Sequence, residues 1–208
     1  MTEIKVIGLC GRSGSGKGYV CERFFRLGIP SIDTDKVYRE ILDCRDSECL
    51  SELTLEFGEG ILKDGSLDRR ALAQIVFAKG NEKKLERLNE ISHKHILKET
   101  RSMIDEYSKK GVGAVIVDAP VLFESGFDTI CDITLCVTAP DSVCIERICK
   151  RDNRSEEEAK SRLASQKSAK ELRNLCSFEI VNDGISDIDS QIADFLNKYS
   201  TEVGCEKE

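Results

Sequence analysis

The sequence predicts an α/β fold in which parallel strands are covered by helices on both faces, and three stretches carry that reading. The first is an apolar run from Ile4 to Leu9 that passes through a glycine-rich turn into the helical pattern Val20, Phe24, Phe25, Leu27. The second is the unbroken apolar run Gly113 to Val117, closed by Asp118, which suits a parallel strand buried on both faces. The third is the continued alternation of the two periods. A strand over 132–137 precedes a helix over 142–150, and a strand over 178–182 precedes a helix built on Ile188, Ile192 and Phe195.

At 208 residues the chain can bury one sizeable core but not two full domains. An apolar share of 40% beside a charged share of 33% places it among soluble globular proteins. A net charge of −7 without any long basic run argues against nucleic-acid binding. No apolar run approaches a membrane span, and nothing near Met1 reads as a signal peptide because the first strand starts at once. The expected location is cytoplasmic and the expected state a monomer. Ten cysteines suggest a disulfide or metal framework, but their placement argues otherwise. Cys10, Cys131, Cys136, Cys144 and Cys149 lie inside apolar patterns, where Cys acts as a small hydrophobe. No C-x-x-C pair occurs, and neither His93 nor His95 has a cysteine nearby in sequence. Reduced thiols are therefore expected and a structural zinc site is not.

The turn between first strand and first helix, Gly8-Leu9-Cys10-Gly11-Arg12-Ser13-Gly14-Ser15-Gly16-Lys17-Gly18, carries the chemistry. Strand, glycine-rich turn and helix form the context in which such glycines bind phosphate. They accept positive φ and leave no Cβ between backbone and ligand. Successive N–H groups then face one concavity at a helix N-terminus, where an anion is favoured. Lys17 adds a mobile point charge for a β- or γ-phosphate. The usual pattern ends in Ser or Thr after the Lys; Gly18 supplies no hydroxyl for Mg²⁺.

The stretch Gly28-Ile29-Pro30-Ser31-Ile32-Asp33 reads as a turn and short second strand that ends in Asp33-Thr34-Asp35, ahead of the helical stretch Val37, Ile41, Leu42. Ligands of open parallel sheets sit beyond the carboxyl ends of strands, so Asp33 and Asp35 are placed to take a proton from an attacking hydroxyl or to hold Mg²⁺ or its water. Asp at this place also serves as an ordinary helix N-cap. From Cys44 to about Lys110 the pattern is helical with one break at Lys63–Ser66, and Asp68 opens a helix whose apolar face is Leu72, Ile75, Val76 and Phe77. That is too much helix for one crossover, and it reads as a helical insertion whose Arg69, Arg70, His93, Lys94 and His95 are basic groups for an anionic substrate, although any one of them singly reads first as a solvated surface position. Asp118, ending the 113–118 strand, is expected to orient Mg²⁺ through water, with Glu124 in the same cleft. The segment from Arg147 through Lys150, Arg151, Asp152, Arg154, Arg162 and Gln166 to Lys170 puts several arginines on one face of a helical hairpin. It reads either as a salt-bridged surface or as a mobile lid that offsets transition-state charge.

These residues together resemble the dephospho-coenzyme A kinase family. The matching blocks are the Gly8-to-Lys17 loop, Leu27-Gly28 with Ile32-Asp33-Thr34-Asp35 and Arg39, Gly65-x-Leu67-Asp68-Arg69, Ile75-Val76-Phe77 and His93-x-x-Ile96. Asp118-x-Pro120-x-Leu122-Phe123-Glu124, Arg147-x-x-x-Arg151, Arg162-x-x-x-Gln166 and Asn182-x-Gly184 complete them. The departures are Gly18 for Ser, Tyr19 for Thr, Arg12 within the loop and Lys94 where the family tends to place Pro. The resemblance implies a three-layer P-loop kinase fold with a five-stranded parallel sheet. Its core would be 1–57, 99–139 and 170–200, with a helical substrate insertion at about 58–98 and a lid at about 140–169. It implies transfer of a phosphoryl group from ATP, with Mg²⁺, to the ribose 3′-hydroxyl of dephospho-coenzyme A. By the same resemblance Arg12, Ser13, Gly14, Ser15, Gly16, Lys17, Gly18 and Tyr19 meet ATP. Lys17, Asp33 (or Asp35) and Arg151 serve catalysis, helped by Arg147 or Arg154. Asp35, Arg39, Arg69, His93 and Glu124 meet the acceptor, and Asp118 serves the metal. A cytidylate-type nucleoside monophosphate kinase shares the Gly14-to-Gly18 pattern, and Gly18 motivates a non-catalytic nucleotide-binding alternative.

Overall fold

The computed structural model describes residues 4–44 and 46–199. In chain order the regular elements are β1 (Lys5–Gly11), α1 (Lys17–Arg26), β2 (Ser31–Asp33), α2 (Thr34–Asp43), α3 (Glu48–Phe57), β3 (Leu62–Lys63), β4 (Ser66–Leu67), α4 (Arg69–Val76) and α5 (Glu82–Lys109). They continue with β5 (Ala114–Asp118), β6 (Ile133–Thr138), α6 (Asp141–Asp152), α7 (Glu156–Ala164), α8 (Ala169–Leu175), β7 (Phe178–Val181) and α9 (Ile188–Lys198). Two compact units result, one of Met1–Ile32 with Ile104–Glu208 and one of Asp33–Met103. The second starts earlier in the chain than the insertion read at 58–98.

In the first unit β1 lies at the centre of a five-stranded sheet of order β2-β5-β1-β6-β7. The pairs β1–β5, β1–β6 and β6–β7 are all parallel. Because strand side chains alternate, Ile7 and Leu9 face one layer, where they pack with Val20 and Phe24 of α1 and Ile192 and Phe195 of α9. Phe24 and Phe195 meet edge to face with ring centroids 5.8 Å apart. Two residues read as part of the α1 stripe lie outside it: Phe25 is 67% and Leu27 56% exposed. The 3.6-residue period explains both, since Val20, Cys21 and Phe24 already fill the inward face and Phe25 is turned about 100° from Phe24. Helices α6 and α7 share a smaller core of Cys144, Ile148, Ala159 and Leu163. Helix α7 starts at a capping box in which Ser155 and Glu158 exchange bonds.

The second unit has its own core of Leu42, Leu50, Leu53, Ile61, Leu72, Val76 and Ile91. The break at Lys63–Ser66 is the turn of the β3–β4 hairpin, with Asp64 and Gly65 at φ 53° and 77°. Asp68 caps α4 by accepting from the Arg70 and Ala71 N–H groups. Phe77, expected on the buried face of this helix, is 70% exposed because α4 ends at Val76 and Phe77 is its C-cap. Of the cysteines placed in apolar patterns, Cys10, Cys136 and Cys144 are buried, whereas Cys131 and Cys149 are half-buried. Among the described residues no helix is long and apolar enough to cross a membrane.

Candidate active site

Strand β1 ends at Gly11, and the loop Arg12–Gly16 leads directly into α1. Gly14 and Gly16 sit at φ 79° and 93°, the left-handed region that disfavours any side chain. Space enforces glycine as well: a Cβ at Gly14 would lie within 3.0 Å of three Cys144 backbone atoms, and one at Gly16 would strike the Asn182 amide. The Ser15 N–H closes a turn on the Arg12 carbonyl at 3.1 Å, and the Tyr19 and Val20 N–H groups go to the Gly16 carbonyl. Among the described residues no protein acceptor takes the N–H groups of Gly14, Gly16, Lys17 or Gly18. Those of Gly16, Lys17 and Gly18 are the orphan donors of a helix start, an arrangement that suits an anion. The Lys17 ammonium folds back to the Gly11 carbonyl at 3.2 Å.

Side chains far away in sequence hold the loop. Arg147 on α6 donates to the carbonyls of Gly14, Ser15 and Asn182 at 3.0–3.3 Å, and to the Asn182 side chain. The Asn182 amide donates to the Ser15 carbonyl at 2.8 Å. Gln166, following α7, grips Ser13 twice: its Oε1 accepts from the Ser13 N–H at 2.9 Å and its Nε2 donates to Ser13 Oγ at 3.1 Å. Arg12, 9% exposed along its side chain, pairs with Asp141 and donates to the Leu163 carbonyl. Asn182 and Gln166 carry no site role in the sequence reading; their signal was the motifs Asn182-x-Gly184 and Arg162-x-x-x-Gln166. Arg147 supports the loop rather than waiting as a free phosphate ligand.

Other expected site residues take these positions. Asp118 ends β5 half-buried, with Cys21 Sγ 4.0 Å from its Oδ2. Tyr19 stands on the exposed side of α1, under the Arg23 guanidinium at 4.9 Å. Arg151 forks onto Asp152 at 2.7 and 2.8 Å, and this pairing holds the Asp152 carboxyl below the usual range. Glu124 pairs with Lys167 at 2.7 Å. These contacts make the Arg147–Lys170 segment salt-bridged. Gly18 is exposed, and a Cβ there would meet nothing within 4 Å.

In the second unit Asp33 caps α2, its Oδ1 accepting from the Asp35 and Lys36 N–H groups at 2.9 and 3.0 Å. Arg39 Nε donates to the Asp35 carbonyl. Arg69 lies at the rim of an apolar groove of about 160 Å³ lined also by Tyr38, Leu67, Leu72, Phe77 and Leu88. His93 is half-buried, and burial lowers its pKa. Lys94 and His95 are spent on Glu52, His95 at 2.8 Å. Among the described residues no group of three or more His, Cys, Asp and Glu is arranged to hold a metal ion.

Residues 5–187 match the family model of dephospho-CoA kinase. The chain belongs to the dephospho-CoA kinase family. Among its relatives, the dephospho-CoA kinase of Bacillus cereus is 38% identical over 197 residues, covering 94% of this chain and 97% of that one. That of Carboxydothermus hydrogenoformans is 34% identical over 201 residues, 96% of each chain. Of solved structures, the dephospho-CoA kinase from Campylobacter jejuni superposes with a TM-score of 0.66 at 27% identity, over 97% of this chain and 98% of that one. A shikimate kinase from Bacteroides thetaiotaomicron gives a TM-score of 0.51 at 13% identity over 94% and 98%, which shows the shared P-loop kinase fold alone. The chain is thus a kinase.

Proposed function

We propose that the chain transfers the γ-phosphoryl group of ATP to the ribose 3′-hydroxyl of dephospho-coenzyme A, giving coenzyme A and ADP. The observation that carries the nucleotide half is the run of open N–H donors at Gly14, Gly16, Lys17 and Gly18. A triphosphate supplies the acceptors this run lacks, and Lys17 exchanges the Gly11 carbonyl for phosphate oxygen. Family membership supports the acceptor half.

Asp33 is the preferred base for the hydroxyl, with Asp35 as the alternative. Both of its capping bonds go to Oδ1, so capping and proton acceptance use different oxygens. A hydroxyl acceptor must lose a proton, whereas a nucleoside monophosphate is already an anion. Arg151 stabilises charge on the transferring group after leaving Asp152. Its side chain is 59% exposed, and exposed pairs of this kind are worth about 0–1 kcal/mol, so a phosphate competes for it readily. Arg69 and the groove beside it bind the acceptor, with Arg39 and His93, and 140–169 serves as the lid.

The donor set fits Mg²⁺ carried in by the nucleotide rather than caged by protein. The described carboxylates form no cluster for it, and Mg²⁺ keeps water and phosphate oxygens readily. Asp118 would hold it through water, and when bound it neutralises charge on the β- and γ-phosphates. The test is ADP release with ATP and Mg²⁺, comparing dephospho-coenzyme A with CMP, UMP and AMP as acceptors. Turnover with dephospho-coenzyme A alone is expected. Turnover with CMP would transfer the chain to the cytidylate type, and no turnover with any acceptor would leave a nucleotide-binding protein.

A further inference from the structure

Three sulfurs converge on the sheet face opposite the Ile7–Leu9 layer, at the root of the phosphate loop. Cys10 is the penultimate residue of β1, and Cys136 is its register partner on β6. In-register neighbours of a parallel pair point to the same face, and both side chains are sealed, at 1% and 0% exposure. Cys176 follows α8 directly and is half-buried. Its Sγ is 3.5 Å from that of Cys10, although 166 positions separate them in the chain. The Ser177 N–H, one residue on, is pinned to the Thr134 carbonyl at 2.9 Å, which keeps this turn against β6. No described side-chain group is arranged to hold a metal, so the chemistry left to the cluster is that of thiols.

We propose that Cys10 and Cys176 form an oxidative modification site, with Cys176 the first sulfur to react and Cys10 the resolving one. Exposure sets the order, because Cys176 alone of the three is not buried. The oxidant is a low-molecular-weight disulfide. The Cys176 thiolate attacks one of its sulfurs, the S–S bond breaks, and one small thiolate leaves and takes up a proton. Cys10 then attacks Cys176 Sγ in the mixed disulfide and releases the second small thiol. Two protein thiols lose two electrons and two protons in total, and one small disulfide becomes two thiols. Closure brings the sulfurs from 3.5 Å to about 2.0 Å. The movement falls on the α8–β7 turn, since β1 is paired on both sides. Cys10 rather than Cys136 is the resolving group because its Sγ lies 3.5 Å from that of Cys176, whereas the Cys136 thiol, although also in reach of Cys176, donates to the Phe178 carbonyl at 3.6 Å. The hydrogen bond shared with Cys10 and burial push the Cys176 thiol up to about 12. Thiolate is therefore scarce at neutral pH, and the rate should climb about tenfold per pH unit well below that value.

The test treats the intact, fully reduced chain with oxidised glutathione at several pH values, blocks residual thiols, and maps peptides without reduction. The expected product is a Cys10–Cys176 linked peptide in a protein that has lost two hydrogens, formed faster as pH rises and reversed by dithiothreitol. Cys10→Ala should instead accumulate glutathione on Cys176. Glutathione retained on Cys176 of the unaltered chain, a Cys136–Cys176 peptide, or no modification over the pH series would each overturn the proposal. The unaltered chain alone decides the pairing, so a poorly folding variant does not blunt the test.

Discussion

Lys17 and Gly18 are the two positions where a single side chain changes the chemistry without disturbing a core. Lys17 makes one described contact of its own, to the Gly11 carbonyl, and this contact is not what closes the loop. Lys17→Ala should therefore keep the unfolding transition and lower kcat/KM for ATP by at least about a hundredfold, the scale seen when one preorganised charge-stabilising donor is removed. ADP release and circular dichroism read the two halves; an active variant would take the loop out of the reaction. Gly18 lacks the hydroxyl that would meet Mg²⁺ directly, so a water must fill that coordination place under the proposed reading. The space around it is open and its backbone is helical rather than left-handed, so a serine fits without rearrangement and also improves helix propensity. Gly18→Ser should lower the Mg²⁺ concentration giving half-maximal rate at saturating ATP. An unchanged or higher half-point would show that the site does not use a ligand from position 18.

At the scale of elements, the loop's shape depends on α6, the α7–α8 turn and the end of β7 as much as on its glycines. Asn182→Ala would remove one of the two donors on the Ser15 carbonyl and one acceptor of Arg147, a loss of about 0.5–1.5 kcal/mol for each hydrogen bond. A urea titration should show that loss, and KM for ATP should rise with it. The sequence discloses the loop itself because strand period, glycines and lysine are all local. It does not disclose the brace, because Ser13 meets Gln166 across 153 positions and Ser15 meets Asn182 across 167. Arg147 illustrates the same limit: helical spacing puts it beside Arg151, yet one turn separates a loop support from a guanidinium held by Asp152. The exposed Phe25 and Phe77 mark a different limit, since an apolar pattern gives a stripe but not its edge. On α5 the half-buried His93 has a pKa lowered by burial from 6.5. Its proton is held better by the unfolded chain, so stability is full above about pH 6.5 and falls as pH drops through that value. Unfolding midpoints measured from pH 8 to 5 should fall toward acid, and His93→Gln should flatten the His93 share of that slope.

For the whole molecule, the division of the chain into two compact units assigns the groups proposed for the two substrates to different bodies. The open N–H donors and Lys17 belong to the first unit, while Arg39, Arg69 and His93 belong to the second. Helical content in the second unit was legible from periodicity, and its one hairpin was marked by Asp64 and Gly65, whose positive φ the turn requires. The division of the chain at Asp33 was not, because the strand ending there and the helix it caps read as one continuous βα step. Arg69 gives the sharpest test of the division of labour. It follows the cap Asp68, is exposed, and borders a groove whose other walls are apolar. A cation beside such a trough suits a ligand with a negative group and an extended arm, which dephospho-coenzyme A has and inorganic phosphate lacks. Arg69 makes no contribution to the core of its unit, so Arg69→Ala should fold normally. It should raise KM for dephospho-coenzyme A about tenfold or more, the size expected when a charged hydrogen bond of about 1.5–3 kcal/mol is lost, and change KM for ATP by much less. Initial rates with each substrate varied at saturation of the other measure both. Equal effects on the two constants, or a larger one on ATP, would remove Arg69 from the acceptor site and leave the groove without its proposed ligand.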